Sequence, residues 1–387
     1  MRHSLDASGG FIGRLTDDGR VDPTSSKGSV LNARILWTFS AAHRQTGNAD
    51  YRAVADRAYA YFVRHFLDQT HGGVYWSVDP VGQPLSTRKQ IYSLAFAIYG
   101  LSEYYKISAK PEALQISIDL YHWIEQYSFD GALGGYWEAF SREGALLADL
   151  RLSEKDRNDP KTMNTHLHVL EGYANLYRVW PDAGLKRQIR ALLATFRMHI
   201  LNADTHHLRP FFTADWQPTA DLVSFGHDIE ASWLLLEAAQ VLADAATADA
   251  GDAELTGQFR QIAVSMARAT AAGLQADGSL YHELNRESGH CDTHREWWVS
   301  AEAMVGFLNA YQLTGEAGFY EQSVGAWQFA QQHLLDRERG EWRWGVLDDY
   351  RPMPGEDKIG FWKCPYHNVR ACLAVWERLR NKPLAIS

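Results

Sequence analysis

Cysteine is scarce: Cys291, Cys364 and Cys372 are the only three in 387 residues. An odd number without CxxC spacing excludes a disulfide scaffold and fits free thiols in a reducing compartment. Basic charge is also in deficit, with 38 Lys plus Arg against 47 Asp plus Glu and a net charge of -9. Nothing here would hold nucleic acid or an anionic membrane surface. No apolar run reaches membrane-spanning length, and the opening MRHSLDASGG has no apolar signal core. A cytoplasmic protein acting on a small neutral ligand is expected, as a monomer or weak homodimer. GxxxxGK[ST], a GxGxxG after a strand and GxSxG are all missing, so nucleotide and acyl-serine chemistries lack their usual marks.

What is present is a large apolar and aromatic content, 46% hydrophobic and 12% aromatic with 14 tryptophans, enough for a sizeable core. Six segments share a pairing of glycine or a turn residue with aromatic or apolar positions: GGFIG from Gly9, HGGVYW from His71, LGGYWEAF from Leu133, HLRPFF from His207, DGSLYHEL from Asp277 and GEWRWGV from Gly340. They recur roughly every 60 to 75 residues. Between them run stretches of helical apolar period, including Tyr51 to Phe66, Ile91 to Tyr105, Met163 to Trp180, Ile229 to Ala245, Trp297 to Leu313 and Tyr320 to Leu335. Each interval has room for two helices. Six such units close naturally into an all-α (α/α)6 barrel of about twelve helices, with short β-like connections. An open superhelix of helix pairs has the same periodicity. No Pro/Ser-rich linker divides the chain, so residues 1–387 are expected to form a single domain.

Polar residues on otherwise apolar helices mark the candidate site. In MNTHLHVLEGYANLYRVW, two apolar stripes leave a narrow polar one of Asn164, His168, Glu171 and Asn175, with Asn164 and His168 one turn apart. Such a stripe either faces a cavity or is solvated. In SFGHDIEASWLLLEA, His227 and Glu230 stand three apart in the first turn of a strongly apolar helix, with Ser224 and Asp228 as candidate caps. Glu230 within reach of His227 would suit proton transfer near neutral pH; alternatively Asp228 and Glu230 only complement the helix dipole. In WKCPYHNVRAC, Pro365 precedes a helix that carries His367 at its entrance, five residues after Trp362. Arg34, among Ile35, Leu36, Trp37 and Phe39, must either snorkel outward or meet oxygen-rich partners. REWWVSAEA supplies Trp297, Trp298 and Glu302; aromatic faces beside carboxylates suit sugar rings, though most tryptophans serve a core.

His282, His290 and His294 cluster in sequence, and His166/His168 and His206/His207 are close pairs, but none has HExxH spacing. No metal and no cofactor is expected, which leaves acid/base catalysis by side chains.

NARILWTFSAAHR, KQIYSLAFAIYGLSEYY, RLSEKDRNDPKTMNTHLHVLEGYANLYRVW, SFGHDIEASWLLLEAA, REWWVSAEAMVGFLNAYQLTG and GFWKCPYHNVRAC resemble, in order and across nearly the whole chain, the N-acylglucosamine 2-epimerase superfamily and most closely its cellobiose 2-epimerase branch. The resemblance implies an (α/α)6 barrel and cofactor-free epimerisation at C2 of the reducing-end aldose of β-1,4-linked disaccharides, cellobiose or lactose. It implies that His227 and His367 are the general acid/base pair on opposite faces of C2. It gives Arg34 the enediolate oxygens, His168 the ring opening and Glu230 the support of His227. Tyr92, Asn164, Glu302, Trp362 and one of Trp297 and Trp298 correspond to substrate-contacting positions. A monosaccharide enzyme converting mannose shares all these residues, and RESGHCDTHREWW, from Arg286, is where substrate size would be set. An inverting glycoside hydrolase built on Glu230, Glu302 and Asp228 is the alternative from another class, and a catalytically silent sugar-binding protein a third.

Overall fold

The computed structural model describes residues 4–7, 9–154 and 156–381. Among them are eleven α-helices: α1 (Ser29–Thr46), α2 (Ala49–His65), α3 (Ile91–Ser108), α4 (Pro111–Tyr127), α5 (Met163–Tyr177), α6 (Ala183–Thr195), α7 (Phe225–Asp244), α8 (Ala250–Thr270), α9 (Trp297–Thr314), α10 (Ala317–Phe329) and α11 (Tyr366–Asn381). The boundaries follow local chemistry. Gly47 takes the left-handed conformation that stops α1, and the Asn48 side chain then accepts from the Asp50 N–H to start α2. Asp249 and Asp252 form a capping box at the head of α8. The stretch expected as one helix to Leu335 is α10 followed by a π-helical turn, Ala330–Leu334.

The odd-numbered helices form the inner ring. Each packs on the next, and α11 closes on α1. Their faces are apolar nearly all round, so almost every residue of α3, α5 and α9 is buried, whereas the outer helices α2, α4, α6, α8 and α10 bury one stripe each against the inner helix before them. Inner helices approach closely where a side chain is missing: a Cβ on Gly100 would stand 2.7 Å from the Ala33 carbonyl oxygen, and one on Gly172 the same distance from that of Ala95. This is the (α/α)6 barrel.

The repeated glycine-aromatic segments are its connections. Each carries one antiparallel bridge, Leu5–Phe11, Leu67–Val74, Phe129–Tyr136, Leu201–Leu208, Leu274–Leu280 and Leu335–Trp342. Buried lysines latch four of these turns to a carboxylate: Lys27 on Asp6, Lys89 on Asp68, Lys161 on Asp130 and Lys358 on Asp336, at 2.6 to 3.0 Å. Three of the same aspartates, Asp68, Asp130 and Asp336, also accept from backbone N–H groups two and three residues on, so one carboxylate shapes the turn and neutralises the lysine.

The count differs from the expected twelve. Every connection but the first follows an outer helix; the first has only Ser4 before it among the described residues. The barrel therefore has six inner and five outer helices there, and Cys372 and Trp376 on α11 are exposed. Cys291, Cys364 and Cys372 are free thiols. No described helix is long and apolar enough to cross a membrane.

Candidate active site

All six inner helices point their N-terminal turns toward one end of the barrel, where a cavity of about 170 Å³ opens. Arg34 enters it from α1, Tyr92 from α3, Asn164 and His168 from α5, His227 and Glu230 from α7, Trp297 and Trp298 from α9, and Trp362 and His367 from the approach to α11 and its first turn. Six helix N-termini facing one space favour negative charge in it. A larger cavity, about 870 Å³, lies at the other end of the ring, but no histidine lines it among the described residues, and three of its five arginines, Arg44, Arg178 and Arg370, are paired with glutamates.

The two expected acid/base histidines share the small cavity and both flank the indole of Trp298, with ring centroids 4.8 Å (His227) and 5.9 Å (His367) from it. Trp298 reaches that place because residue 226 is glycine: a Cβ there would stand 2.4 Å from the indole. His367 Nδ1 lies 2.8 Å from Glu302 Oε1, and His168 Nδ1 lies 2.9 Å from Glu171 Oε2. A carboxylate at Nδ1 puts the proton there and leaves Nε2 with its lone pair. His227 Nδ1 is held by the Ser224 hydroxyl at 2.8 Å. Burial pushes His227 down to about 4, only partly countered by the charge of Glu230, and burial together with the charge of Arg34 takes His367 well below the ordinary histidine value. Both rings are neutral at pH 7.

Arg34 is 4% exposed. Its Nη1 donates to the Trp362 carbonyl (2.7 Å) and its Nη2 to the Tyr92 hydroxyl (2.8 Å), while the guanidinium lies over the Phe96 ring at 4.3 Å. Among the described residues no carboxylate is bonded to it, so its charge is available to the cavity. Burial raises the Tyr92 phenol to about 12, which keeps it neutral. Arg34 Nε, Asn164 Oδ1 and Trp297 Nε1 are buried without hydrogen-bond partners. All three belong to residues that line the cavity, so its wall carries polar groups with unused hydrogen-bonding capacity.

Behind the histidines stands Arg370, one turn further along α11. It donates to Glu171 and Tyr366 through Nη1 and to Glu230 and Glu302 through Nη2. One guanidinium thus holds the carboxylates that orient His168 and His367. Burial alone would raise the Glu171 carboxyl, but the Arg370 charge and the His168 bond bring it to about 2; at Glu302 burial prevails and the carboxyl is raised.

Several expectations change. Glu230 was expected to support His227, but its carboxylate bonds Arg370, and Ser224 holds the imidazole. Ser224 occupies the N-cap position of α7 without capping it. Asp228 caps nothing and accepts from His207 Nδ1 and the Leu208 N–H. Glu302, expected among the substrate contacts, lies one layer back, between His367, Arg370 and the Trp233 indole N–H. Burial overrides the near-neutral titration expected of His227. The polar stripe of α5 runs through the barrel: Asn164 and His168 reach the cavity, Glu171 meets Arg370, and Asn175 faces Lys106 and the Tyr99 carbonyl nearer the other end. Glu296 and Trp344, which also line the cavity, were missed, as was Arg370. The run RxCxxxxER of α11 offers no local sign that its first arginine is buried among three glutamates.

The N-acylglucosamine 2-epimerase family matches this chain over residues 10–371. The chain belongs to that family. Among N-acylglucosamine 2-epimerase family members, cellobiose 2-epimerase of Bacteroides fragilis is 49% identical over 366 residues, covering 95% of this chain and 91% of that protein. The structure of cellobiose 2-epimerase from Bacillus thermoamylovorans superposes with a TM-score of 0.91 at 38% identity, over 97% of this chain and 94% of that one. D-mannose isomerase of Marinomonas mediterranea is a more distant relative, 23% identical over 97% of this chain and 93% of that protein.

Proposed function

We propose that this protein is a carbohydrate 2-epimerase acting on the reducing-end aldose of β-1,4-linked disaccharides, converting cellobiose to glucosyl-mannose and lactose to epilactose. The observation that carries the reading is a pair of neutral histidines around one tryptophan ring, next to an arginine to which no carboxylate of the described residues is bonded. His168, with its Nε2 free, assists opening of the sugar ring. One of His227 and His367 then removes the C2 proton, the electrons move onto the C1 carbonyl oxygen, and a cis-enediolate forms. Arg34 and the helix N-termini stabilise its negative charge where it develops. As the enediolate's negative charge develops beside it, the second, neutral histidine takes up a proton from solvent and delivers it to the opposite face of C2; the first returns the C2 proton to solvent, and ring closure gives the epimer. Asn164, Tyr92, Trp362 and the Trp297 indole N–H bind the hydroxyls, Trp298 supplies the stacking face, and Ser224, Glu171 and Glu302 position His227, His168 and His367 from behind, with Arg370 tying Glu171, Glu230 and Glu302 together.

Disaccharide preference rests on the relatives: those named cellobiose 2-epimerase are 33 to 49% identical, and those named D-mannose isomerase 23 to 26%. An inverting hydrolase needs two carboxylates about 6.5 to 9.5 Å apart across the sugar. The nearest oxygens of Glu230 and Glu302 are within 4.8 Å of each other, and both carboxylates share Nη2 of Arg370. Comparing kcat/KM on cellobiose, lactose and mannose tests the proposal. Conversion of both disaccharides with the glycosidic bond intact is expected; turnover of mannose alone, or release of monosaccharides, would overturn it.

A further inference from the structure

We propose that His282, His294 and Glu296 form a binding site for a zinc-class divalent ion at the rim of the sugar cavity. Sequence spacing gave no such indication, because the residues come together through strand pairing rather than along a helix. Strand Glu283–Asn285 pairs with Cys291–Asp292, and the His282 N–H donates to the Asp292 carbonyl at 3.1 Å. That register sets His282 beside His294, with ring centroids 4.5 Å apart, while Glu296 follows on the same connection. One nitrogen from each histidine and one Glu296 oxygen all lie within 4.8 Å of one another. Tetrahedral zinc with bonds near 2.0 Å needs its donors roughly 3.3 Å apart, and His294 Nε2 is already 3.1 Å from Glu296 Oε1.

The surroundings have the form of support for metal ligands. Asp292 Oδ1 is 2.5 Å from His294 Nδ1, the carboxylate-histidine arrangement that leaves Nε2 to coordinate. Glu296 Oε2 accepts from the Trp298 indole N–H at 2.6 Å and Oε1 from that of Trp344 at 3.2 Å, which fixes the carboxylate in place. His282 Nδ1 is buried with no hydrogen-bond partner. Two imidazoles and one carboxylate suit zinc, cobalt, nickel or copper rather than calcium or magnesium. The donor set holds three positions and leaves a fourth open to water. By contrast, the other close group, Glu230, Glu302 and His367, has the Arg370 guanidinium bonded to both carboxylates and so has no place for a cation.

Because Glu296 also lines the sugar cavity, an ion held here occupies a carboxylate that would otherwise face substrate and adds bulk beside the cavity. Zinc should therefore slow turnover reversibly. The test is titration of the intact protein with Co²⁺, read by its visible absorption, and with Zn²⁺ in competition. One tight site with the intense bands of tetrahedral cobalt is expected. His282→Ala or His294→Ala should abolish those bands, and Asp292→Asn should weaken binding by about 10-fold or more. Relief of zinc inhibition by EDTA should likewise disappear in the two alanine variants. Absence of tetrahedral cobalt bands in the wild type would overturn the proposal, because His294 would then be simply a protonated clamp between Asp292 and Glu296. Equal cobalt binding by wild type and the alanine variants would overturn it as well.

Discussion

Replacing Arg370 by methionine should damage both the barrel and its chemistry, in separable ways. The side chain is 3% exposed and bonds three glutamates and a tyrosine. Methionine fills much of the volume but leaves Glu171, Glu230 and Glu302 buried without their cation. Removing one partner of a buried ion pair costs about 3 to 5 kcal/mol, so the unfolding temperature should drop by several degrees. Catalysis should fall further than stability explains, because Glu302 and Glu171 lose the group that fixes them against His367 and His168; losing the orienting carboxylate of a catalytic histidine costs about 10⁴ in rate in a comparable arrangement, and with both carboxylates still present roughly 10² is expected. Arg370 also disfavours the charged form of His367, so its removal raises that histidine and moves the acid limb of kcat/KM toward higher pH. Arg370→Lys restores charge but cannot span the carboxylates on both Nη atoms, and should be intermediate. The assay is kcat, KM and their pH profiles on cellobiose beside thermal unfolding. A folded Arg370→Met protein with wild-type kcat and an unmoved acid limb would refute the positioning argument.

Arg34→Ala should lower kcat by about 3 to 4 kcal/mol of barrier with a smaller change in KM, since the guanidinium acts on charge that develops only in the transition state; an effect confined to KM, measured by steady-state kinetics, would contradict this. With His227 at about 4 and His367 well below 6.5, the acid limb of kcat/KM should lie below pH 6, and a limb at 6.5 or above would show the rings to be ordinary histidines. The same depression means that the unfolded chain takes up these protons first: stability is full above the unfolded value near 6.5 and declines as pH falls toward 4, which denaturant titrations at several pH values will reveal. Lys161→Met leaves Asp130 and the carbonyls of Gly134 and Ala214 without their buried donor and should cost about 3 to 5 kcal/mol in chemical denaturation; a loss under 1 kcal/mol would mean that the lysine latches are dispensable.

Local pattern carried much of this architecture. The apolar period of Met163 to Trp180 marks α5 to within three residues, and the recurring turns at Gly9, His71 and Leu133 sit on the bridges that close the barrel connections. His227, His367 and His168 were conspicuous because a lone imidazole on an apolar helix needs a reason. Arg370 and Glu171 bond across 199 residues of sequence, and no window along the chain brings them together. Glu302 was misplaced for the same reason: beside two tryptophans in sequence it suggested a sugar contact, whereas its position on α9 turns it toward α11. The number of outer helices was inferred from counting repeats, which does not reveal that the first repeat lacks a helix before it among the described residues.

Solvent exchange at C2 probes the two-faced histidine pair most directly. In D2O the wild-type protein should place deuterium at C2 of both cellobiose and glucosyl-mannose, followed by NMR. His227→Asn and His367→Asn should each lose epimerisation while retaining C2 exchange with one epimer only, a different epimer for each variant, because the surviving imidazole reaches a single face. Exchange of the same epimer by both variants, or continued epimerisation by either, would contradict the account.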